Sequence, residues 1–184
     1  MAETASLFSE MLLSEYMPKI LNLEEQKSYF DTRLLDTFGN IMRSTMYTRF
    51  EKNAHTAIHN GEELNYRDLN IMWREEQVKL SGNILNYDLP PEEDSGWSMI
   101  PHIFHSPFYC YGYAFGFIMV FALYARHKAD PAFKEDYKDI LRSGGSERPR
   151  DILGRYGIDI ASPEFYQSGL REVEKMMEEF EKMV

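Results

Sequence analysis

The sequence is short of several things, and each shortage narrows what it encodes. A single cysteine, Cys110, among 184 residues rules out an internal disulfide framework and suits a reducing compartment. Basic residues are outnumbered, 20 Lys and Arg against 30 Asp and Glu, for a formal charge of −10. No basic patch concentrated enough to follow a phosphate backbone stands out, and the ending EKMMEEFEKMV is acidic, so neither nucleic acid nor an anionic membrane is an expected partner. The first residues, MAETASLFSEML, lack the basic segment and cleavage site of a signal peptide, and a cytoplasmic setting is expected. There is no repeat, no low-complexity tract and no Gly/Ser linker, which predicts one all-helical unit over 1–184.

Only one long apolar run exists. Residues 108–125, FYCYGYAFGFIMVFALYA, hold no charge for 18 positions, just the length of a membrane span. Tyr109, Tyr111, Tyr113 and Tyr124, two glycines and the polar character of the remaining chain favour a helix buried in a soluble protein.

What the chain does have is helix periodicity and helix punctuation, without strand alternation, so the expected class is all-α. Helices are predicted over 2–17, with Ala5, Phe8, Leu12 and Tyr16 on one face, and over 23–59, with Phe30, Leu34, Phe38, Ile41, Thr45, Phe50 and Ala57 inward. A third follows Asn65 and ends near Ser81-Gly82. The proline signals at Ser106-Pro107, Asp130-Pro131, Arg148-Pro149 and Ser162-Pro163 announce further starts. Residues 83–99 form a Pro- and acid-rich loop.

Four stretches could carry chemistry. HTAIH, residues 55–59, has the histidine spacing of an HExxH zinc helix, but Thr56 stands where the catalytic glutamate belongs. A self-contained metal site would combine His55 and His59 with Glu51 or Glu62. Against it, the pair lies in the last turns of a helix beside Asn60-Gly61, where a solvated end complements the helix dipole. Glu3, ahead of small residues on an apolar helix, needs a positive partner if it faces inward, and is a solvated first-turn glutamate if it does not. IPHIFHSPFYCYGYAFG sets His102 and His105 before a helix whose first turns would carry Tyr109, Tyr111 and Tyr113. Tyr109 and Tyr113 share a face at four-residue spacing. Such donors at a loop-to-helix junction suit oxyanion stabilisation, while aromatic packing is the alternative. LRSGGSERPRDILGRYGID has a Gly-Gly turn and four arginines but no phosphate-loop pattern.

Taken in order, AETASLFSEMLL, MRSTMYTRFE, IPHIFHSPFYCYGYAFG and LRSGGSERPRDILGRYGIDIASPEFYQSGL resemble the C-terminal third of the oligoendopeptidase F family, relatives of thimet oligopeptidase, over essentially the whole chain. The resemblance implies the C-terminal part of a zincin-type helical oligopeptidase catalytic domain that hydrolyses short peptides with zinc. In the family two histidines of an upstream HExxH helix and a later glutamate hold the metal. That glutamate would be Glu3 here, and the HExxH helix would precede Met1. The resemblance further implies catalytic roles for His102, His105 and Tyr113 and substrate contacts from Tyr109 and Tyr111. The chain alone would then be inactive, completed by the upstream part of the peptidase, and a homo-oligomer is a further possible partner. Ser106 stands where the thimet branch has a second tyrosine. The competing expectation is a non-catalytic helical binding or scaffold domain.

Overall fold

The computed structural model describes residues 4–82 and 84–184. Among them no strand forms, and the chain runs through α1 (Thr4–Tyr16), α2 (Leu23–Phe38), α3 (Ser44–His59), α4 (Tyr66–Ser81), α5 (Pro101–His105), α6 (Tyr111–Ala129), α7 (Phe133–Ser143), α8 (Pro149–Gly154) and α9 (Pro163–Glu181). A π-helical turn, Gly39–Arg43, sits between α2 and α3. The all-α expectation is met. By contacts the chain divides into two compact units, residues 1–37 with 115–184 and residues 38–114.

The first unit is built on the apolar heart of α6. Met119 through Tyr124 are buried without interruption, which a helix achieves only when other elements cover it on all sides. Gly169 of α9 allows one of those approaches: a Cβ there would stand 2.4 Å from the Ile118 carbonyl oxygen of α6. From α1, Phe8 stacks on Tyr137 at 4.1 Å and meets Tyr124 edge-on at 6.1 Å. Helix α1 therefore turns Thr4, Phe8 and Met11 inward, not the predicted face of Ala5, Phe8, Leu12 and Tyr16. Ala5, Leu12 and Tyr16 are exposed.

The second unit packs α3 against α4 around Met46, Phe50 and Trp73, with Trp97, Ile100 and Ile103 closing over them. Phe50 meets Trp73 edge-on at 5.3 Å, and Tyr47 stacks on it at 5.5 Å. The predicted single helix over 23–59 is interrupted by the π turn. Its extra residue shifts the helical phase: Ile41, Phe50 and Ala57 are buried as predicted, whereas Phe38 and Thr45 are exposed and Ser44, Met46 and Ala54 face inward as well.

Helix α4 starts at a capping box, with Asn65 and Asp68 satisfying each other's amides. It also fastens the loop that follows it. Arg74 donates to Asp94 through Nε at 2.9 Å and to the Leu89 carbonyl at 3.0 Å. Asn70 donates to the Glu92 carbonyl at 2.7 Å and accepts from Trp97 Nε1 at 2.8 Å. These bonds replace regular structure over a stretch rich in proline and acid. They deliver the chain to α5.

Two of the four helix starts predicted at proline signals hold as written. Pro149 opens α8, and Ser162 accepts the Glu164 amide at the head of α9. Asp130 instead accepts the Ala132 amide in a turn, and α7 begins at Phe133, two residues after Pro131. At Ser106-Pro107 the helix is delayed to Tyr111, because Phe108 adopts a left-handed φ of 59° that no α-helix contains. Among the described residues no helix is long and apolar enough to cross a membrane. Helix α6 ends instead in Arg126, His127 and Lys128.

Candidate functional site

The predicted histidine and tyrosine residues lie in the second unit, where α5 gives way to α6. Pro101 begins α5 with its φ already helical and no amide to satisfy, and the Ser106 amide closes the helix on the His102 carbonyl at 2.9 Å. Residues 107–110 then turn sharply into α6. Tyr109 thus stands in the turn, outside the helix that the sequence pattern assigned to it.

Three of the five predicted side chains come together. The rings of His102 and Tyr109 stack nearly parallel, 5.7 Å apart at 9°. Tyr113, the third residue of α6, stands edge-on to both, 5.7 Å from His102 and 5.4 Å from Tyr109. Its hydroxyl lies 3.2 Å from His102 Nε2. His102 is half-buried, and the two tyrosines are exposed. His105 and Tyr111 are exposed and make no hydrogen bond or ring contact with this trio.

The electrostatics of the trio keep Tyr113 a donor. Loss of solvent around the phenol, and to a lesser extent charge on Tyr109 and Cys110, hold it above its ordinary value. The hydroxyl is therefore protonated across the neutral range. Cys110, just behind, is buried and also shifted upward, by burial first and then by Glu51, so it stays a thiol and not a nucleophile.

One residue that the sequence offered only as a metal ligand has another task. Glu51 is 2% exposed on α3, and its Oε1 accepts the Phe108 amide at 2.7 Å. His55, a turn further along α3, places its ring 4.9 Å from the Phe108 ring. The self-contained metal site of His55, His59 and Glu51 or Glu62 is thereby corrected: His55 and His59 are exposed, the Glu51 carboxylate is engaged with backbone, and among the described residues no three His, Cys, Asp or Glu are grouped to hold a metal ion. The signal for Glu51 was present in the sequence, since its place three residues before Ala54 puts a carboxylate on the apolar face of the helix. Glu3, the predicted zinc ligand, lies outside the described residues.

A phenol held protonated beside an imidazole, open to solvent at a helix start, is able to donate a hydrogen bond to a polarised carbonyl. The model of peptidase family M3 matches residues 1–172, and the chain belongs to that family. It is 33% identical to oligopeptidase PepF of Bacillus subtilis (strain 168), over 100% of this chain and 27% of that relative. It is 30% identical to the chromosomal oligoendopeptidase F of Lactococcus lactis subsp. cremoris, over 100% of this chain and 30% of the relative. The crystal structure of oligoendopeptidase-F from Enterococcus faecium matches with a TM-score of 0.88 at 26% identity, over 99% of this chain and 35% of that one. The chain thus spans about a third or less of the length of the relatives it matches. The family's peptidases depend on zinc. The described residues do not fit a zinc site of their own, and the chemistry they offer is that of the His–Tyr trio.

Proposed function

We propose that this chain is the C-terminal part of the catalytic domain of a zinc oligoendopeptidase, a cytoplasmic enzyme hydrolysing short peptides, and that its two units serve that one domain. The observation that carries the reading is the trio itself, with the Tyr113 hydroxyl 3.2 Å from His102 Nε2 on an open face. With the proton on Nε2, His102 donates to the Tyr113 oxygen. The phenolic hydrogen is then free for a peptide carbonyl and for the oxyanion it becomes. Tyr109 holds the imidazole plane by stacking, and its exposed hydroxyl is available to the peptide backbone. His105 and Tyr111 lie between the members of the trio in sequence, and their exposed rings are available to the same substrate.

Glu3 would supply one carboxylate to a zinc ion whose two histidines belong to an HExxH helix in sequence beyond this chain. One carboxylate alone does not retain catalytic zinc, so activity is expected only with that helix present.

The test is complementation. The chain is mixed with the HExxH-bearing portion of a family M3 peptidase, and cleavage of a quenched-fluorescent peptide is followed with zinc present. Cleavage that depends on Glu3 and falls in Tyr113→Phe supports the reading. A folded, zinc-loaded complex without cleavage counts against it.

A non-catalytic helical binding domain is the second reading, favoured by one observation. Leu12, Leu13, Tyr16, Ile20 and Leu23 form an exposed apolar run from α1 to the start of α2. It predicts tight association with that same portion and no Glu3 dependence.

A further inference from the structure

The left-handed turn at Phe108 is unexplained by its own sequence. Among the described residues Phe108 is the one non-glycine with positive φ, at 59°, a conformation that costs a bulky side chain about 1–2 kcal/mol and that glycine or asparagine would adopt more readily. Neither of its chain neighbours, Pro107 and Tyr109, relieves that cost. The compensation comes from α3, 57 residues earlier in the chain, and it comes twice. Glu51 accepts the Phe108 amide at 2.7 Å from a nearly solvent-free position, and His55, at i+4 on the same helix face, meets the Phe108 ring at 4.9 Å and 50°. One helix therefore grips one residue by both its backbone and its side chain.

We propose that Glu51, assisted by His55, is the positioning residue for the His102, Tyr109 and Tyr113 trio. This rests on the proposed peptidase function for its catalytic consequence, but not for its geometry. Phe108 directly precedes Tyr109, and Tyr113 follows through Cys110, which is 2% exposed and anchors the turn from below. The direction in which the chain leaves Phe108 consequently fixes where Tyr109 stacks on His102 and how α6 presents Tyr113. No Lys, Arg or His among the described residues forms an ion pair with Glu51. Its buried carboxylate therefore does not serve a salt bridge within the core, and its one hydrogen bond beyond α3 goes to this turn. Neither residue touches substrate in this scheme; both act through Phe108.

The experiment compares Glu51→Ala, Glu51→Gln and His55→Ala. Its first readout needs no catalysis: in the full chain, the ring-current displacement of the His102 imidazole protons by Tyr109 is followed by NMR. Glu51→Ala is expected to abolish most of that displacement, leaving amide signals of the first unit in place. Glu51→Gln, whose amide oxygen still accepts the Phe108 N–H, keeps it. His55→Ala, at an exposed position that folding tolerates, reduces it. The second readout uses the complemented enzyme. There Glu51→Ala lowers kcat by about tenfold with KM changed much less, the scale of one lost buried hydrogen bond felt in the transition state.

Wild-type His102 displacement in both Glu51→Ala and His55→Ala overturns the proposal. If Glu51→Ala does not fold, a wild-type displacement in His55→Ala together with lost displacement in Glu51→Gln overturns it as well, since an isosteric oxygen that still accepts the Phe108 N–H would then fail to hold the turn. Should no complemented enzyme cleave any peptide, the peptidase reading fails while the NMR result still decides the positioning role.

Discussion

Two clusters of histidine and tyrosine, one in each unit, are made of the same side chains and have opposite fates. In the first unit Phe8 lies between Tyr137, Tyr124 and His127. The Tyr137 hydroxyl donates to the Thr4 carbonyl at 3.0 Å, and the Tyr124 hydroxyl donates to Glu15. Every phenol there is buried and spent on the protein itself. In the second unit the rings of His102, Tyr109 and Tyr113 meet at similar distances, yet both tyrosines are exposed and the one internal hydrogen bond joins members of the trio. The first cluster spends its hydroxyls on the fold, and the second leaves them open to solvent. Residue type does not separate them. Burial of the hydroxyl and the identity of its acceptor do.

The largest effect that should separate the clusters is on stability. Phe8→Ala removes a ring that is 5% exposed and is expected to cost about 3–5 kcal/mol in chemical denaturation, because the cavity cannot close between three aromatic neighbours. Tyr109→Ala, at an exposed position, should cost less than about 1 kcal/mol. Similar losses from the two would erase the distinction.

Alkaline pH should divide the clusters next. Burial pushes Tyr137 up to about 12 and moves Tyr124 upward as well, the latter by burial first and then by its bond to Glu15. Their folded values exceed the ordinary value near 10, so above pH 10 the unfolded chain gives up protons that the folded one keeps, and stability falls with rising pH. For Tyr137 about 2 kcal/mol is lost by about pH 12, and the loss is completed only above that pH. Unfolding midpoints measured from pH 8 to 12 should stay level and then drop, and Tyr137→Phe should flatten that drop. An unchanged slope in the variant would assign the loss to other groups.

The closed cluster was more legible in the sequence than the open one, and the reason is range. Helix class, the Asn65 start and the starts at Pro149 and Pro163 follow from local signals that the structure obeys. Phe8 was correctly placed inward by its period, although its face was drawn one step too far round, because Leu12 and Tyr16 satisfy the same periodicity as Met11. The π turn at 39–43 left no local mark, so Thr45 was placed inward although it is exposed, while Phe50 and Ala57 beyond the turn are buried as predicted. At Ser106-Pro107 the local signal for a helix is real, but the Phe108 turn is imposed by Glu51 from 57 residues away. A non-local acceptor cannot be read from a window of sequence. The meeting of Tyr109 and Tyr113 was anticipated from four-residue spacing; their rings do meet, at 5.4 Å, although only Tyr113 is in the helix that the spacing presumed.

Within the open cluster the hydroxyls should themselves be graded, and Tyr113→Phe tests the first step. It deletes the bond to His102 and a donor that is held protonated, at an exposed position. Thermal stability should change by less than about 0.5 kcal/mol. Cleavage by the complemented enzyme should fall about tenfold or more in kcat, as expected for a donor whose interaction strengthens in the transition state. A loss in KM alone would move Tyr113 from oxyanion contact to ground-state binding.

The smallest effect is expected at Tyr111, and it bears most directly on what the comparison means. This phenol opens α6 beside the trio, exposed, with no hydrogen bond or ring contact to it. If an open hydroxyl contributes only by meeting peptide, Tyr111→Phe should leave stability and kcat unchanged and raise KM by about twofold to threefold, the signature of binding that is equal in ground and transition states. A kcat effect as large as that of Tyr113→Phe would mean that contact with His102 is not what selects a phenol for catalysis. The grading of Tyr113 over Tyr111, and with it the significance of the 3.2 Å contact, would then have to be abandoned.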